Sequence, residues 1–344
     1  MSTTDQNINE TSAQDRGELL GSAIVRAPGV CGELVQGIQD GMYFLVTCPV
    51  DFFSRVRVDL YSDGSNADTP KIDATEGCPK AVEALLATLE YLDRSGLVAR
   101  LNVGNPIPRS KGMGSSSADV AATVAATSLA LGVELTPDIV ARIALSVEPT
   151  DGVMFPGVAL FDHREGRTAE TLGPPPAMEI VALDFGGAVD TIEFNKVDRR
   201  SLWESIQAET SEALELVRSG VKLSDPALVG QGSTISAVAS QKVLPKPHLA
   251  AAQDFAKDVG AVGVNVGHSG TIIGVLLDAR QRRGKSTFRQ AREAFPGAEM
   301  VHHFRLMGGG LQSVPVYPGN FAPSLFTGEG CDGGVPTIRT GLRP

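Results

Sequence analysis

Apolar residues along this chain recur either at every second position or at every third to fourth. Val56, Val58 and Leu60 alternate with Arg55, Arg57 and Asp59, the period of a strand with one buried face. Val82, Leu85, Leu86 and Leu89 repeat at helical spacing and predict a helix over residues 79–91. The same reading predicts strands at 22–27, 43–50, 53–60, 97–103, 157–161, 178–185, 261–266, 271–277, 300–306 and 311–316. It predicts helices at 118–131, 137–146, 198–219, 226–240, 247–259 and 281–294. Strands cluster early and helices dominate the second half, so the expected class is α+β or mixed α/β with two lobes. The proline run at 174–176 suggests the boundary. The expected division is a disordered arm (1–20), an N-terminal lobe (21–175), a C-terminal lobe (176–317) and an irregular Gly/Pro-rich tail (318–344).

One stretch departs from both periods. Pro106-Ile107-Pro108-Arg109-Ser110-Lys111-Gly112-Met113-Gly114-Ser115-Ser116-Ser117 leads into a run of Ala, Val, Thr, Leu and Ser. The prolines hold the approach extended. The glycines allow a tight fold and bring backbone N–H groups close to a ligand. A helix that starts at the serines offers free N–H donors and the positive dipole end, which attract phosphate. Serine hydroxyls can ligate Mg²⁺, a hard cation. An ordinary serine-capped loop is the competing reading. Two further turns carry acids or polar groups among glycines and prolines. One is 28–37, with Glu33; the other is 147–156, with Glu148 and Asp151. A glycine turn at 267–270 adds His268 and Ser269.

Composition narrows the class. The 344 residues are 42% hydrophobic and 20% charged, enough apolar material for a sizeable core. A net charge of −10 and 5% aromatic content argue against a nucleic-acid binder. The four cysteines are scattered with no C-x-x-C, so reduced thiols in a cytoplasmic protein are expected. No apolar run approaches the roughly 20 residues of a membrane span.

Three segments, in order, resemble the motifs of the GHMP small-molecule kinases. Ala27-Pro28-Gly29-x-x-Gly32-Glu33 is similar to their first motif. Pro108-x-x-x-Gly112-Met113-Gly114-Ser115-Ser116-Ser117-Ala118 is similar to their ATP-phosphate loop, and Gly267-His268-Ser269-Gly270-Thr271 stands where their third motif should be. Within the family, the wording of these segments and of Val147–Phe155 resembles the branch of L-threonine kinases of cobalamin side-chain assembly. That branch converts threonine and ATP to O-phospho-L-threonine, which supplies aminopropanol phosphate. The resemblance implies a ribosomal-protein-S5-like N-terminal lobe and a ferredoxin-like α/β C-terminal lobe. It implies ATP and Mg²⁺ as cofactors and a small-molecule partner, L-threonine, with no nucleic acid or membrane and a monomeric or homodimeric state.

It also assigns roles. Residues Pro108, Arg109, Ser110, Lys111, Gly112, Met113, Gly114, Ser115, Ser116 and Ser117 would wrap the ATP phosphates. Ser116 and Glu148 would hold the metal. Asp151, with Glu33 and Lys111, would form the catalytic set. Gly32, Glu33, Asp151, His268, Ser269 and Gly270 would meet the acceptor. Many relatives carry Lys or Arg directly after the first motif's A-P-G, where this chain has Val30. Lys111 and Arg26 are the candidate replacements for that charge. The alternatives are a GHMP kinase for another small alcohol, homoserine or a sugar, and a non-catalytic sensor of the same fold.

Two patterns read as structural. His302 and His303 lie on a strand, so their rings point to opposite faces and cannot readily share a metal. Residues 279–286 fit a relaxed Walker A pattern, but alanine replaces its first glycine and bulky Gln and Arg fill its centre. A basic turn capping a helix through Ser286 is expected there, with a P-loop NTPase as the rival.

Overall fold

The computed structural model describes residues 17–62, 71–187, 199–267 and 270–316. The N-terminal arm up to 16, most of the polar loop before β3, His268, Ser269 and the tail from 317 lie outside the described residues. Eleven strands are β1 (Glu18–Gln39), β2 (Met42–Ser62), β3 (Ile72–Ala74), β4 (Val98–Gly104), β5 (Val158–Phe161), β6 (Ala169–Gly173), β7 (Met178–Asp184), β8 (Gly263–Val266), β9 (Ile273–Asp278), β10 (Met300–Arg305) and β11 (Gln312–Val314). Eight helices are α1 (Pro79–Tyr91), α2 (Ser115–Ala130), α3 (Pro137–Val147), α4 (Arg200–Glu204), α5 (Gln207–Leu223), α6 (Pro226–Ala239), α7 (Leu249–Asp258) and α8 (Gly284–Ala294).

The strands form one curled sheet in the order β10-β7-β9-β8-β1-β2-β4-β3, with β5, β6 and β11 branching from it. The expected boundary near residue 175 falls between β6 and β7, yet the sheet and the largest core cluster run across it. The join is β1, which pairs with β2 along its length and touches β8 where Glu33 faces Val266. An Asp40-Gly41 turn with both residues at positive φ links β1 to β2, as the twist of a tight hairpin requires.

The first motif corrects the sequence reading. Its prolines and glycines suggest a turn, but residues 28–37 stay in β1 and cross it as a chain of bulges. The register against β2 shifts between Pro28 and Val30, Val30 and Glu33, and Glu33 and Val35. A bulge absorbs an extra residue without ending the strand, so glycine can mark a bend inside pairing. The helix expected at 198–219 is broken into α4 and α5, with Trp203 and Ile206 buried at the break.

Helix α2 runs through the centre. All but two of its residues are buried, and it packs on β1, β2, α1 and α3. Small side chains permit this contact on every face, so α2 lacks the amphipathic stripe of a surface helix. Cys31 and Cys48 are free and buried. Cys78 is disulfide-bonded, which corrects the all-reduced expectation. No helix among the described residues is long and apolar enough to cross a membrane.

At the Walker-like segment, α8 begins at Gly284. Ser286 donates to the Arg283 carbonyl, so it does not cap the helix as expected; the Glu179 carboxylate accepts the Gly284 N–H instead. His303 faces Glu179, and His302 stacks on Phe304.

Gly32 tests the β1–β8 join. Its φ is +58°, and a Cβ there would meet the Val266 carbonyl at 2.5 Å. Gly32→Ala is expected to cost about 2–3 kcal/mol, from strain and forced separation of the strands. A urea unfolding midpoint equal to that of the wild type would show that the join tolerates a side chain.

Candidate active site

The phosphate-loop candidate lies between two backbone contacts. Val30 N donates to Met113 O at 2.9 Å and Gly32 N to Gly112 O at 3.1 Å, from the bulged β1. From the other side, Thr271 N and Ile272 N both donate to Lys111 O at 3.0 Å. The loop's carbonyls are thus spent on protein partners. The N–H groups of Gly112 to Ser117 have no partner among the described residues. That one-sided arrangement at the start of α2 is what an anion needs.

Gly114 is the N-cap of α2, at φ +64°. A Cβ there would sit 2.9 Å from an Asp151 carboxylate oxygen. Glycine therefore serves both the left-handed turn and the close approach of the acid. Asp151 N donates to Ser117 Oγ at 3.1 Å, which fixes the later turn to the first turn of the helix. Ser116 Oγ donates to Glu148, and Lys80 contacts the same carboxylate's other oxygen. Ser116, Ser117, Glu148 and Asp151 thus meet at one end of an open cleft of about 260 Å³. Its lining also includes Glu33, Pro108, Arg109, Ser110, Gly112, Met113 and Ser115 from the sequence-predicted set.

Lys111 is placed differently. It pairs with Asp184 at 2.8 Å and lies 3.5 Å from Glu299, and it does not line the cleft. Arg26 bonds Gln312 at 2.7 Å and covers the Phe53 ring. Neither supplies a charge to Asp151. Gly32 and Gly270 stand behind the phosphate loop, where Gly270 packs against Gly112. His268 and Ser269 lie outside the described residues.

Electrostatics sets Asp151 apart. Burial pushes its carboxyl up to about 6; Ser117 opposes the rise, and the nearby Glu148 charge adds to it. No cation is among the groups acting on it. Asp119 is also raised to about 6 by burial, against hydrogen bonds from Ser54 and Asn105 and the charge of Arg109. It bonds Ser54 at 2.6 Å and Asn105 at 2.7 Å, and so ties strand β2 and the loop after β4 to α2. His163 lines the cleft beside Thr150 and is held neutral, with its pKa lowered to about 3 by burial.

Sequence reasoning missed three of these residues: Lys80, Asp119 and His163. A charged residue in an otherwise small and apolar helix was the available signal for Asp119. Lys80 had only its place in the first turn of α1, just after Pro79. Nothing in the sequence distinguished His163.

The chain matches the model of the GHMP kinases N-terminal domain over residues 79–156. It is 32% identical to the L-threonine kinase of Salmonella typhimurium over 295 residues, covering 84% of this chain and 95% of that protein. It is 33% identical to the L-threonine kinase of Citrobacter freundii over 256 residues, covering 74% and 86%. The structure of homoserine kinase from Cytophaga hutchinsonii is similar in fold, with a TM-score of 0.65 at 18% identity, covering 90% of this chain and all of that one. With its fold, its glycine loop and these relatives in agreement, the chain belongs to the GHMP kinases, and it is a small-molecule kinase.

Proposed function

We propose that the protein transfers the γ-phosphoryl group of ATP to the side-chain hydroxyl of L-threonine, giving O-phospho-L-threonine and ADP. By resemblance, this is the reaction that feeds aminopropanol phosphate into cobalamin assembly. The observation that carries the reading is the meeting of Ser116, Glu148 and half-buried Asp151 at the amino end of α2. The two L-threonine kinases that are similar over most of the chain support the choice of acceptor.

GHMP kinases use ATP with Mg²⁺. The residues present fit that ion. Ser116 and Glu148 offer two hard oxygens in contact at the cleft, and Lys80 on Glu148 shows a carboxylate that already takes a cation. Among the described residues no three His, Cys, Asp or Glu side chains cluster to hold a metal, so phosphate oxygens and water would complete the shell. When bound, Mg²⁺ would neutralise charge on the phosphates that it bridges.

The protein's own part is positioning. The N–H groups of Gly112 to Ser117 and the dipole of α2 hold the phosphate tail. Asp151 accepts the hydrogen bond of the threonine hydroxyl and aligns its oxygen on the γ-phosphorus. The new O–P bond forms as the bond to the β-phosphate oxygen breaks. The hydroxyl proton passes to Asp151 late, as a loose transition state allows.

Asp151→Asn is expected to lower kcat by about 100-fold or more, because it removes a contact made at the reacting centre. ATP affinity, read by calorimetry, should stay within a few-fold. A drop in kcat of less than tenfold would overturn the assigned role. Wild-type kcat/KM should rise with pH through about 6 as Asp151 ionises, with Glu148→Gln moving the inflection down.

Stability should run the other way. A folded pKa of about 6 against 3.8 means that the native state holds the extra proton. This carboxyl therefore favours folding most below 3.8, and the contribution is lost as pH rises through about 6. Asp151→Asn should accordingly gain in melting temperature over the wild type between pH 4.5 and 7. No change in that difference would contradict the burial of a charge there. A panel of hydroxyl acceptors with ATP and Mg²⁺, read by mass shift, tests threonine against homoserine, sugars and mevalonate.

A further inference from the structure

Four carboxylates line the cleft, those of Glu33, Asp119, Glu148 and Asp151, against two cations, Lys80 and Arg109. A triphosphate would bring more negative charge to the same walls. Arg109 is already engaged: its guanidinium faces Asp119 at 3.8 Å and donates to the Gly77 carbonyl at 3.2 Å. Lys111 pairs with Asp184 outside the cleft. Among the described residues, Lys80 is the lining cation that touches the end where Ser116, Glu148 and Asp151 meet. Its place in the chain is unfavourable for a helix. Cys78 is the N-cap of α1 and Pro79 its first residue, so Lys80 stands in the first turn, with no acid in that turn. The positive dipole end repels a cation there. A residue that breaks a local rule marks a place to look for function. Cys78, Pro79, Lys80 and Ala81 all line the cleft, so α1 opens on it as α2 does, and the ammonium adds to two positive helix ends.

The contact with Glu148 is one that an ammonium can give up. The Lys80 side chain is 37% exposed, so water reaches it and its four-carbon stem can turn. An ion pair this exposed holds weakly. Glu148 Oε1 meets Ser116 and Glu148 Oε2 meets Lys80, so one carboxylate serves the hydroxyl and the lysine through separate oxygens. A divalent ion on the Ser116 side would compete for the charge of that carboxylate and repel the ammonium. Phosphate oxygens are strong alternative acceptors for its three N–H donors.

We infer that Lys80 is a catalytic residue, a mobile cation that exchanges the Glu148 carboxylate for oxygens of the transferring phosphoryl group. The inference rests on the reading of the cleft as the ATP site. The ammonium stays protonated and forms no bond to phosphorus. It donates hydrogen bonds to oxygens whose charge shifts as the bond to ADP breaks. It thereby supplies the positive charge that Val30 does not offer at the first motif and that neither Lys111 nor Arg26 brings to the cleft.

The test compares full-length wild type, Lys80→Met, Lys80→Gln and Lys80→Arg by binding and by turnover. Calorimetry in Mg²⁺ gives the affinity for ADP and for the β,γ-methylene analogue of ATP, which cannot transfer its terminal group. Lys80→Met is expected to weaken the analogue by roughly tenfold or more and ADP by less than about threefold, because only the analogue carries the phosphoryl group that Lys80 meets. With ATP and L-threonine, its kcat should fall by about 100-fold or more while the KM for threonine stays within a few-fold. Lys80→Arg should recover part of both losses, since a guanidinium also donates to phosphate. A merely structural ion pair would weaken both nucleotides equally. That result, or a Lys80→Met kcat within about tenfold of the wild type, overturns the inference. Should Lys80→Met not fold, Lys80→Gln, which keeps a donor but loses the charge, decides by the same ratio of affinities. A wild type that binds neither nucleotide overturns the ATP-site reading first, and this inference with it. A wild type that transfers phosphate, beside a Lys80→Met that tells the analogue from ADP as well as the wild type does, overturns this inference alone.

Discussion

The structure depends on a loop whose carbonyl oxygens from Lys111 to Met113 are all committed to protein partners. Strand β1 takes those of Gly112 and Met113, and the turn before β9 takes that of Lys111. A peptide group that commits its oxygen to one neighbour aims its N–H the opposite way. Four ordinary backbone hydrogen bonds on three carbonyls therefore orient the N–H face of the loop. Preorganised donors of this kind cost no rearrangement at the moment of reaction. The bulges of β1 serve the same end, since they allow one strand to pair with β2 and still offer Val30 and Gly32 to the loop.

Around that face the chain gathers acids. Asp119 is buried, Asp151 and Glu148 are half-buried, and each has a different counterweight. Asp119 has Ser54, Asn105 and Arg109; Glu148 has Ser116 and Lys80; Asp151 has the Ser117 hydroxyl and no cation. Acids in like surroundings would titrate together. Acids in unlike surroundings can hold a metal, brace the scaffold and receive a hydroxyl proton at one pH. The absence of a basic residue at Val30 fits this division, because Asp151 relies on burial instead of an ion pair.

Much of this was legible in the sequence, and the exceptions share a cause. The glycine–serine loop and its helix could be read because their chemistry is local: backbone freedom, hydroxyls and dipole lie within a dozen residues. The acids at 148 and 151 could be read because proline and glycine isolate them in a short turn. Lys111 was read as a phosphate ligand from its neighbours in sequence, but its partners, Asp184 and Glu299, come from distant strands and turns. Local spacing carries no information about such partners. The same holds for Lys80. The first motif looked like a turn because proline and glycine usually end strands, and pairing with β2 on one side and β8 at one point kept it extended.

Lys111 has a consequence for the stiffness of the loop. Its carbonyl receives two N–H groups from Thr271 and Ile272, and its ammonium is clasped by Asp184, which also receives the Thr271 hydroxyl. One residue is thus riveted through both its main chain and its side chain. Swinging the loop outward would shear every one of these rivets together. At the start of α1, Lys80 reaches Glu148, and Arg109 of the loop bonds the Gly77 carbonyl. Under the proposed reaction, the glycine loop would therefore serve as the fixed wall against which the phosphates are held.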